Sequence, residues 1–360
     1  MKPLAGLRIL EFDGLGPVTF AGMVLADMGA DVLRLSRSAT AGAPVFAEVG
    51  GEVLHRGRAG VPVNLKDTAD HARVLTLIDS ADALIEGFRP GVMERLGLGP
   101  EFCAGRNPRL VYGRITGWGQ TGPMASEVGH DINYIALSGA LHAMGPADRP
   151  PAPPLNLIGD YAGGAMMLVT GVLAALVEAR TTGKGRAVDA AMTDGSALLT
   201  SLFHALRARG LWSDARGTNL LDGGAPFYRC YACRDGRFVA VGALEPRFYA
   251  ALIAGLGLTP DSAPQYETAG WSALHDRFAA IFASQDRDHW AARFAGTDAC
   301  VTPVLSLEEA PSHPHNVARG TFVGSAVVQP APAPRFADVP ALPTPQPEPL
   351  SLDQALSRWS

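Results

Sequence analysis

Short apolar segments alternate with helical patterns over the first 115 residues, and this alternation constrains the fold more than any other feature. Residues 7–12 predict a strand, a helical pattern follows at about 19–28, and residues 31–35 predict a second strand. Further strand patterns lie at 61–65, 83–86 and 109–115, with a helix at about 68–80. Strands separated by helices form a mostly parallel sheet covered on both faces. The predicted fold class is therefore α/β with a Rossmann-like layer.

The turn after the first strand carries part of a dinucleotide-binding pattern. Gly14 and Gly16 fit it, but Thr19 occupies the third glycine position, and Arg37 rather than an acidic residue follows the second strand. An arginine there can pair with a phosphate on an adenosine ribose, which fits the 2′-phosphate of NADP or the 3′-phosphate of coenzyme A. Six basic residues in or near these loops predict a polyphosphate site: Arg37, Arg56, Arg58, Lys66, Arg89 and Arg95.

A histidine and two carboxylates form the best catalytic candidate. His130 and Asp131 lie at the predicted start of a helix, and Asp160 precedes a long apolar helix at about 161–180 that stops at Gly183. We expect Asp160 to be the N-cap of that helix. Capping alone explains an aspartate at this position, so the hypothesis that Asp160 is catalytic depends on the neighbouring residues. A helix N-terminus can also stabilise an oxyanion, which suits proton transfer next to a carbonyl.

Composition narrows the class of protein. The 360 residues predict about two domains, and 47% hydrophobic with 18% charged residues indicate a globular chain with a sizeable core. A formal net charge of −5 argues against a nucleic-acid partner. Four cysteines are too few for a disulfide framework or a four-thiolate zinc site, so we expect reduced thiols, no metal and a cytoplasmic protein. Apolar runs are too short or interrupted to predict a membrane span or signal peptide.

The second half of the chain predicts a smaller domain. A Gly-, Asn- and Asp-rich stretch at 216–226 is typical of a connection, and a hairpin pattern around 234–236 follows it. Pro246 should start a helix, which places Glu245 at its N-terminus. The predicted organisation is a large domain of residues 1–200 plus about 330–360, a linker at 201–224, a small α+β domain at 225–315 and a Pro-rich return linker at 316–349.

Several motifs together resemble a known family. They are Gly-His-Asp-Ile-Asn-Tyr at 129–134, Pro-Leu-Asn-Leu-Ile-Gly-Asp at 154–160, Gly-Arg-x-Val-Asp-Ala-Ala-Met at 185–192 and Gly-Ala-Leu-Glu-Pro at 242–246. Gly-Trp-Gly-Gln-Thr-Gly-Pro at 117–123 extends the likeness, which runs over nearly the whole chain. The chain resembles the α-methylacyl-CoA racemases of the family III CoA-transferase superfamily. This resemblance implies a family III CoA-transferase fold and an interlocked homodimer.

The resemblance also implies roles for individual residues. It assigns His130 and Asp160 as the acid/base pair that interconverts (2R)- and (2S)-2-methylacyl-CoA by 1,1-proton transfer through an enolate, with Asp131 and Glu245 as supporting carboxylates. No cofactor is implied, since coenzyme A is part of the substrate. Together with the basic loops, the implied CoA contacts are Arg37, Arg56, Arg58, Val63, Lys66, Gly87, Phe88, Arg89, Arg95, Gly129, Ile132, Asn133 and Tyr134.

Three alternatives stay open at this point. A CoA transferase would use Asp160 as a nucleophile and pass CoA to a free carboxylate. An NADP-dependent oxidoreductase would use the partial glycine turn and Arg37. A non-catalytic acyl-CoA-binding protein would use the basic loops alone.

Overall fold

The computed structural model describes residues 1–14, 16–37, 51–324 and 327–360, which form two compact units. The first comprises Met1–Ala140, Pro154–Thr200 and Gly320–Ser360, and the second comprises Leu141–Pro153 and Ser201–Arg319. The predicted domains differ from these units in three places. Leu141–Pro153 belongs to the second unit rather than to the large domain, and the first unit resumes at Gly320 rather than at about 330. The predicted linker at 201–224 belongs to the second unit and contains a helix, Ser201–Ala208.

A six-stranded parallel sheet organises the first unit, which confirms the Rossmann-like prediction. The strands are β1 (Arg8–Phe12), β2 (Asp31–Arg37), β3 (Ala59–Val63), β4 (Ala83–Glu86), β5 (Val111–Thr116) and β6 (Ala187–Ala191). They follow the order β3-β2-β1-β4-β5-β6 across the sheet. The order reverses between β1 and β4, and such a switch point opens a crevice at the carboxyl ends of the strands.

Helices cover both faces of this sheet. Alternation along β1 sends Ile9 into one core cluster and Leu10 into the other, as the two-residue period of a strand requires. The helices are α1 (Pro17–Asp27), α2 (Gly51–Leu54), α3 (Thr68–Ser80), α4 (Val92–Arg95), α5 (Pro100–Arg106), α6 (Asp131–Leu137), α7 (Met166–Thr182) and α8 (Met192–Leu199), with a π-helix at Leu157–Ala165.

The C-terminal segment completes the first unit. A short pair, β10 (Phe322–Val323) and β11 (Gln329–Pro330), precedes α14 (Leu352–Trp359). Trp359 is buried, and its Nε1 donates to Asp31 Oδ2 at 3.0 Å, which fixes the helix at the start of β2. This contact explains why the final residues fold with the first 200.

The second unit has its own core around a three-stranded antiparallel sheet. The predicted hairpin is present, with β7 (Tyr228–Ala232) paired to β8 (Phe238–Gly242). The remaining elements are α9 (Ser201–Ala208), α10 (Pro246–Gly255), α11 (Trp271–Phe282), α12 (Arg287–Phe294), β9 (Val301–Pro303) and α13 (Pro314–Arg319). Short 3₁₀ helices lie at Leu141–Ala143, Pro260–Ser262, Thr268–Gly270 and Ala310–Ser312.

Candidate active site

A cavity of about 350 Å³ lies at the carboxyl ends of β1, β4 and β5. Three segments that follow these strands contribute to its wall, at 16–18, 87–90 and 116–118. The remaining lining comes from Ile115, Ala125, 127–130, Tyr134, Asp160 and Met192. The cavity therefore occupies the switch point of the sheet, where α/β proteins bind ligands.

His130 faces this cavity from the start of α6. It is the N-cap residue of α6, in agreement with the helix start predicted at His130 and Asp131, and its side chain is exposed. Its backbone N–H donates to Asn133 Oδ1 at 3.0 Å, and its carbonyl accepts from the N–H of Asn133 at 2.8 Å. These reciprocal bonds hold the backbone of His130 while its imidazole stays accessible.

Asp160 lines the same cavity, but the N-cap prediction for it is wrong. The helix starts earlier, at Leu157, and its first nine residues form a π-helix before α7 continues the chain. Asp160 lies within the first turn, and its Oδ2 accepts from Asn156 Nδ2 at 3.1 Å. A π-helical turn inside a helix frequently marks a functional site, since it displaces side chains from the regular spiral.

Asp131 is a buried carboxylate that joins the two segments. Its Oδ2 accepts from the backbone N–H of Asp160 at 2.7 Å, and the residue is only 5% exposed to solvent. Gly159 permits this approach, because a Cβ there would lie 2.7 Å from the same oxygen. Asp131 therefore positions the π-helix that carries Asp160.

Burial raises the pKa of Asp160 above its ordinary value. The bond from Asn156 and the nearby His130 oppose this rise in pKa, whereas the charge of Asp131 adds to it. Burial also raises the pKa of the Tyr134 hydroxyl to about 12, and that hydroxyl donates to the Gly129 carbonyl. The site thus favours a protonated Asp160 over a wider pH range than an exposed aspartate would show.

Five of the predicted CoA contacts contribute to the cavity wall: Gly87, Phe88, Arg89, Gly129 and Tyr134. Ile132 and Asn133 are exposed on α6 next to this group but are not part of the lining.

A second set of predicted contacts lies along the same edge of the sheet. Arg37 ends β2 directly opposite Val63, which ends β3, and Lys66 follows three residues later. Arg37 and Lys66 are exposed, as is Arg95 at the end of α4, whereas Val63 is buried. The structure therefore brings four exposed cations, counting Arg89, to the carboxyl side of the sheet.

Arg56 and Arg58 differ from these four because both are buried. Arg56 pairs with Asp27 at 2.6 Å and also donates to the Pro330 carbonyl at 2.8 Å. Arg58 is fully buried and pairs with Glu11. The CoA contact expected of these two stays a prediction, and both guanidinium groups have structural partners inside the fold.

Glu245 lies in the second unit, where it is the N-cap of α10 as predicted. Its supporting role beside His130 stays a prediction.

Three residues at or next to the cavity were not predicted from the sequence: Asn156, Val18 and Trp118. Asn156 could have been found from its spacing, since it precedes Asp160 by one helical turn. Val18 and Trp118 follow β1 and β5, and their place in the cavity wall depends on the strand order.

Comparisons with known proteins agree with this fold. The family model described as CoA-transferase family III matches residues 4–350. The chain is 44% identical to α-methylacyl-CoA racemase of Mus musculus over 96% of this chain and 90% of that protein. It is also 44% identical to α-methylacyl-CoA racemase of Homo sapiens over 95% of this chain and 88% of that protein.

Solved structures share the fold. The Rv3272 protein of Mycobacterium tuberculosis superposes with a TM-score of 0.81 at 24% identity, covering 99% of this chain and 98% of that one. A CAIB/BAIF family protein from Brucella suis gives a TM-score of 0.80 at 23% identity, covering 99% and 98%. The extent of the family match and of the two racemase relatives shows that the chain belongs to CoA-transferase family III.

Proposed function

We propose that the protein interconverts (2R)- and (2S)-2-methylacyl-CoA thioesters. The observation that carries the proposal is the pair His130 and Asp160 on the wall of one cavity, in a chain 44% identical to two α-methylacyl-CoA racemases. Racemisation next to a thioester carbonyl needs a base on one face of the carbon and an acid on the other. An imidazole and an aspartate whose pKa is raised by burial supply that combination.

The proposed reaction has two half-steps through an enolate. Neutral His130 takes the α-proton from one epimer, and protonated Asp160 returns a proton to the opposite face. The roles reverse for the other epimer. The enolate oxygen would accept from the N–H groups of Asp131 and Ile132, which lie in the first turn of α6 and have no acceptor within a regular helix. The reaction as written needs no cofactor.

The raised pKa of Asp160 favours this assignment over CoA transfer. A transferase needs the Asp160 carboxylate as a nucleophile, so it gains from a low pKa at that position. Burial instead raises the pKa, which suits a group that must donate a proton in one direction.

The four exposed cations support the CoA part of the substrate. Arg37, Lys66, Arg89 and Arg95 lie at the carboxyl side of the sheet, and guanidinium and ammonium groups are the usual partners of phosphate. A CoA thioester carries three phosphates, which matches a distributed set of cations better than a single site. Arg37 is the proposed partner of the 3′-phosphate.

A homodimer is part of the proposal. α7 buries Leu168, Val172 and Ala175 in the core, whereas Met166 and Val177 on it are exposed. The helical segment Leu157–Thr182 is long and apolar enough to cross a membrane, yet half of its most apolar 18-residue stretch is buried inside the protein. A second copy covering the exposed side explains the apolar surface without a membrane, and four unpaired cysteines fit a cytoplasmic location. Sedimentation velocity should give a particle of about twice the chain mass, and a monomer at micromolar concentration would contradict the dimer.

A deuterium assay tests the activity. The protein is incubated with (2R)- or (2S)-2-methylacyl-CoA in D₂O without acceptor or nicotinamide, and α-deuteration and optical purity are followed. We expect deuterium uptake and loss of optical purity from both epimers. His130→Ala and Asp160→Ala should each lower the rate by a factor of about 10² to 10⁴.

His289→Ala and Asp148→Ala, which remove exposed side chains of the second unit, serve as matched controls and should leave the rate unchanged. A parallel reaction supplies a free carboxylate acceptor. If CoA is transferred to that acceptor and no α-deuteration occurs, the protein is a CoA transferase and the proposed racemisation is wrong.

A further inference from the structure

A buried glutamate forms a hydrogen bond with a loop that lines the cavity. Glu86 is the last residue of β4 and is 0% exposed. Its Oε2 accepts from the backbone N–H of Phe88 at 2.7 Å, and its Oε1 accepts from Arg114 Nε at 2.9 Å. Each carboxylate oxygen therefore has one donor, and one of the two donors belongs to the loop that lines the cavity.

Arg114 extends this contact to a third element. Its Nη1 donates to Glu94 Oε1 at 2.8 Å and its Nη2 to Glu94 Oε2 at 3.3 Å. Glu86, Arg114 and Glu94 thus connect β4, β5 and α4. The loop at 87–90 leaves β4 and enters α4, so this ionic cluster fixes it at both ends.

The fixed loop contributes Gly87, Phe88, Arg89 and Pro90 to the cavity wall. A Cβ on Gly87 would lie 3.4 Å from Val18, which shows that the loop packs closely against the residues following β1. A small shift of this loop would therefore change the width of the cavity and the position of Arg89 together.

We propose that Glu86 is a positioning residue that holds the 87–90 loop in the shape required to bind the acyl-CoA substrate. The inference rests on the proposed function for the identity of the ligand. Glu86 does not face the cavity and touches no reacting atom. It acts through the Phe88 N–H, and a carboxylate is required because both of its partners are donors.

The protonation of Glu86 gives this role a pH dependence. Burial raises the pKa of Glu86 to about 7, which the Phe88 N–H and Arg114 oppose and Glu94 reinforces. Tyr112 on β5 also interacts with Glu86, and its hydroxyl stays protonated because burial raises its pKa. The ionised carboxylate accepts both bonds. A protonated carboxyl presents a donor to one of its two partners, so the loop should loosen as the pH falls through 7.

Glu86→Gln is the decisive variant, because glutamine keeps the size but has only one oxygen to accept with. Binding of CoA itself is measured by calorimetry at pH 8, and amide hydrogen exchange is followed in peptides that contain Phe88. We expect the dissociation constant of CoA and the KM of the thioester to rise about ten-fold, with kcat changed less than two-fold. Exchange at Phe88 should accelerate by a similar factor. Glu101→Gln, on an exposed position of α5, makes the same chemical change elsewhere and should match the wild type.

The wild-type protein provides a second measurement that depends on no substitution. After correction for the intrinsic rate, exchange at Phe88 should slow as the pH rises from 6 to 8, and CoA should bind more tightly over the same interval. The Glu86→Gln variant, if it folds, should lose both of these pH dependences.

Two outcomes overturn the inference. One is a Glu86→Gln variant with a lowered melting temperature but wild-type CoA affinity and wild-type exchange at Phe88, since that result describes a purely structural glutamate. The other is a wild-type protein whose exchange at Phe88 does not change between pH 6 and 8. Neither measurement requires racemisation, so a protein that binds CoA but does not deuterate the thioester would refute the proposed function and leave this test intact.

Discussion

Two groups of charged side chains in the first unit differ in what their charges face. Asp160 borders the cavity, half buried, with one side-chain donor from Asn156. Arg58 and Glu11 are fully buried and face each other. A charge beside a cavity can change its protonation when a ligand enters, whereas a sealed ion pair stabilises one arrangement of the chain. Asp160 is therefore suited to a chemical role, whereas the Arg58–Glu11 pair stabilises the fold of the first unit.

Asp160→Asn should have the largest effect, because it removes a group that the reaction uses directly. We expect racemisation to fall by a factor of about 10³ or more, since asparagine neither donates nor accepts the transferred proton. His130 would still exchange the α-proton of one epimer slowly with solvent. Deuterium uptake measured separately from the (2R) and (2S) thioesters checks this. Equal residual exchange from both epimers would show that the two-base assignment is wrong.

Arg58→Met should affect stability rather than chemistry. It leaves the Glu11 carboxylate buried without its partner, and breaking such a pair costs about 3 to 5 kcal/mol. Urea denaturation at pH 7 measures the loss. The double variant Glu11→Leu/Arg58→Met should recover most of it, because neither charge then remains in the core. An Arg58→Met variant of unchanged stability but weakened CoA binding would show that Arg58 acts in ligand binding rather than in the stability of the fold.

Whether an arginine binds a ligand or a buried carboxylate could not be read from the sequence. Arg37 follows one predicted strand and Arg58 precedes another, but the partner of Arg58 lies 47 residues away on β1. Pairing over that distance depends on the strand order, which local patterns do not contain. The sequence therefore located the six basic residues as a group but could not separate its two buried members, Arg56 and Arg58, from the four exposed cations.

Local signals explain which elements could be predicted. The bounds of α3 agree with the prediction because Asp67 caps it, accepting from the N–H groups of Ala69 and Asp70. The π-helix at Asp160 has no comparable local signal. It packs against α8 so closely that a Cβ on Gly195 would collide with the Gly163 carbonyl. Tertiary packing of this kind sets the start of the helix, and it moved the cap from Asp160 to Asn156.

Arg37→Ala provides the exposed counterpart to Arg58→Met. The side chain is exposed at the end of β2, so its loss should change the free energy of unfolding by less than about 0.5 kcal/mol. The KM for CoA thioesters should rise about ten-fold through loss of a charge-assisted contact with the 3′-phosphate. Dephospho-CoA thioesters, which lack that phosphate, are the control and should lose much less. An equal loss for both substrates would remove the phosphate role.

Asn156→Ala should have the smallest effect and tests the electrostatics of the cavity directly. The Asn156 amide donates to Asp160 Oδ2, which favours the ionised carboxylate and so opposes the rise in pKa caused by burial. Its removal should therefore raise the pKa of Asp160 further. Where Asp160 acts as the base, activity requires the carboxylate, so the acidic limb of the pH profile should move to higher pH. Where Asp160 acts as the acid, the basic limb should move to higher pH by the same amount. Asn156→Asp places a like charge beside Asp160 and should shift both limbs further in the same direction. A shift of the limbs to lower pH, or no shift in either variant, would mean that the protonation of Asp160 does not set the pH profile. Asp160 would then not be the carboxylate whose protonation the reaction uses.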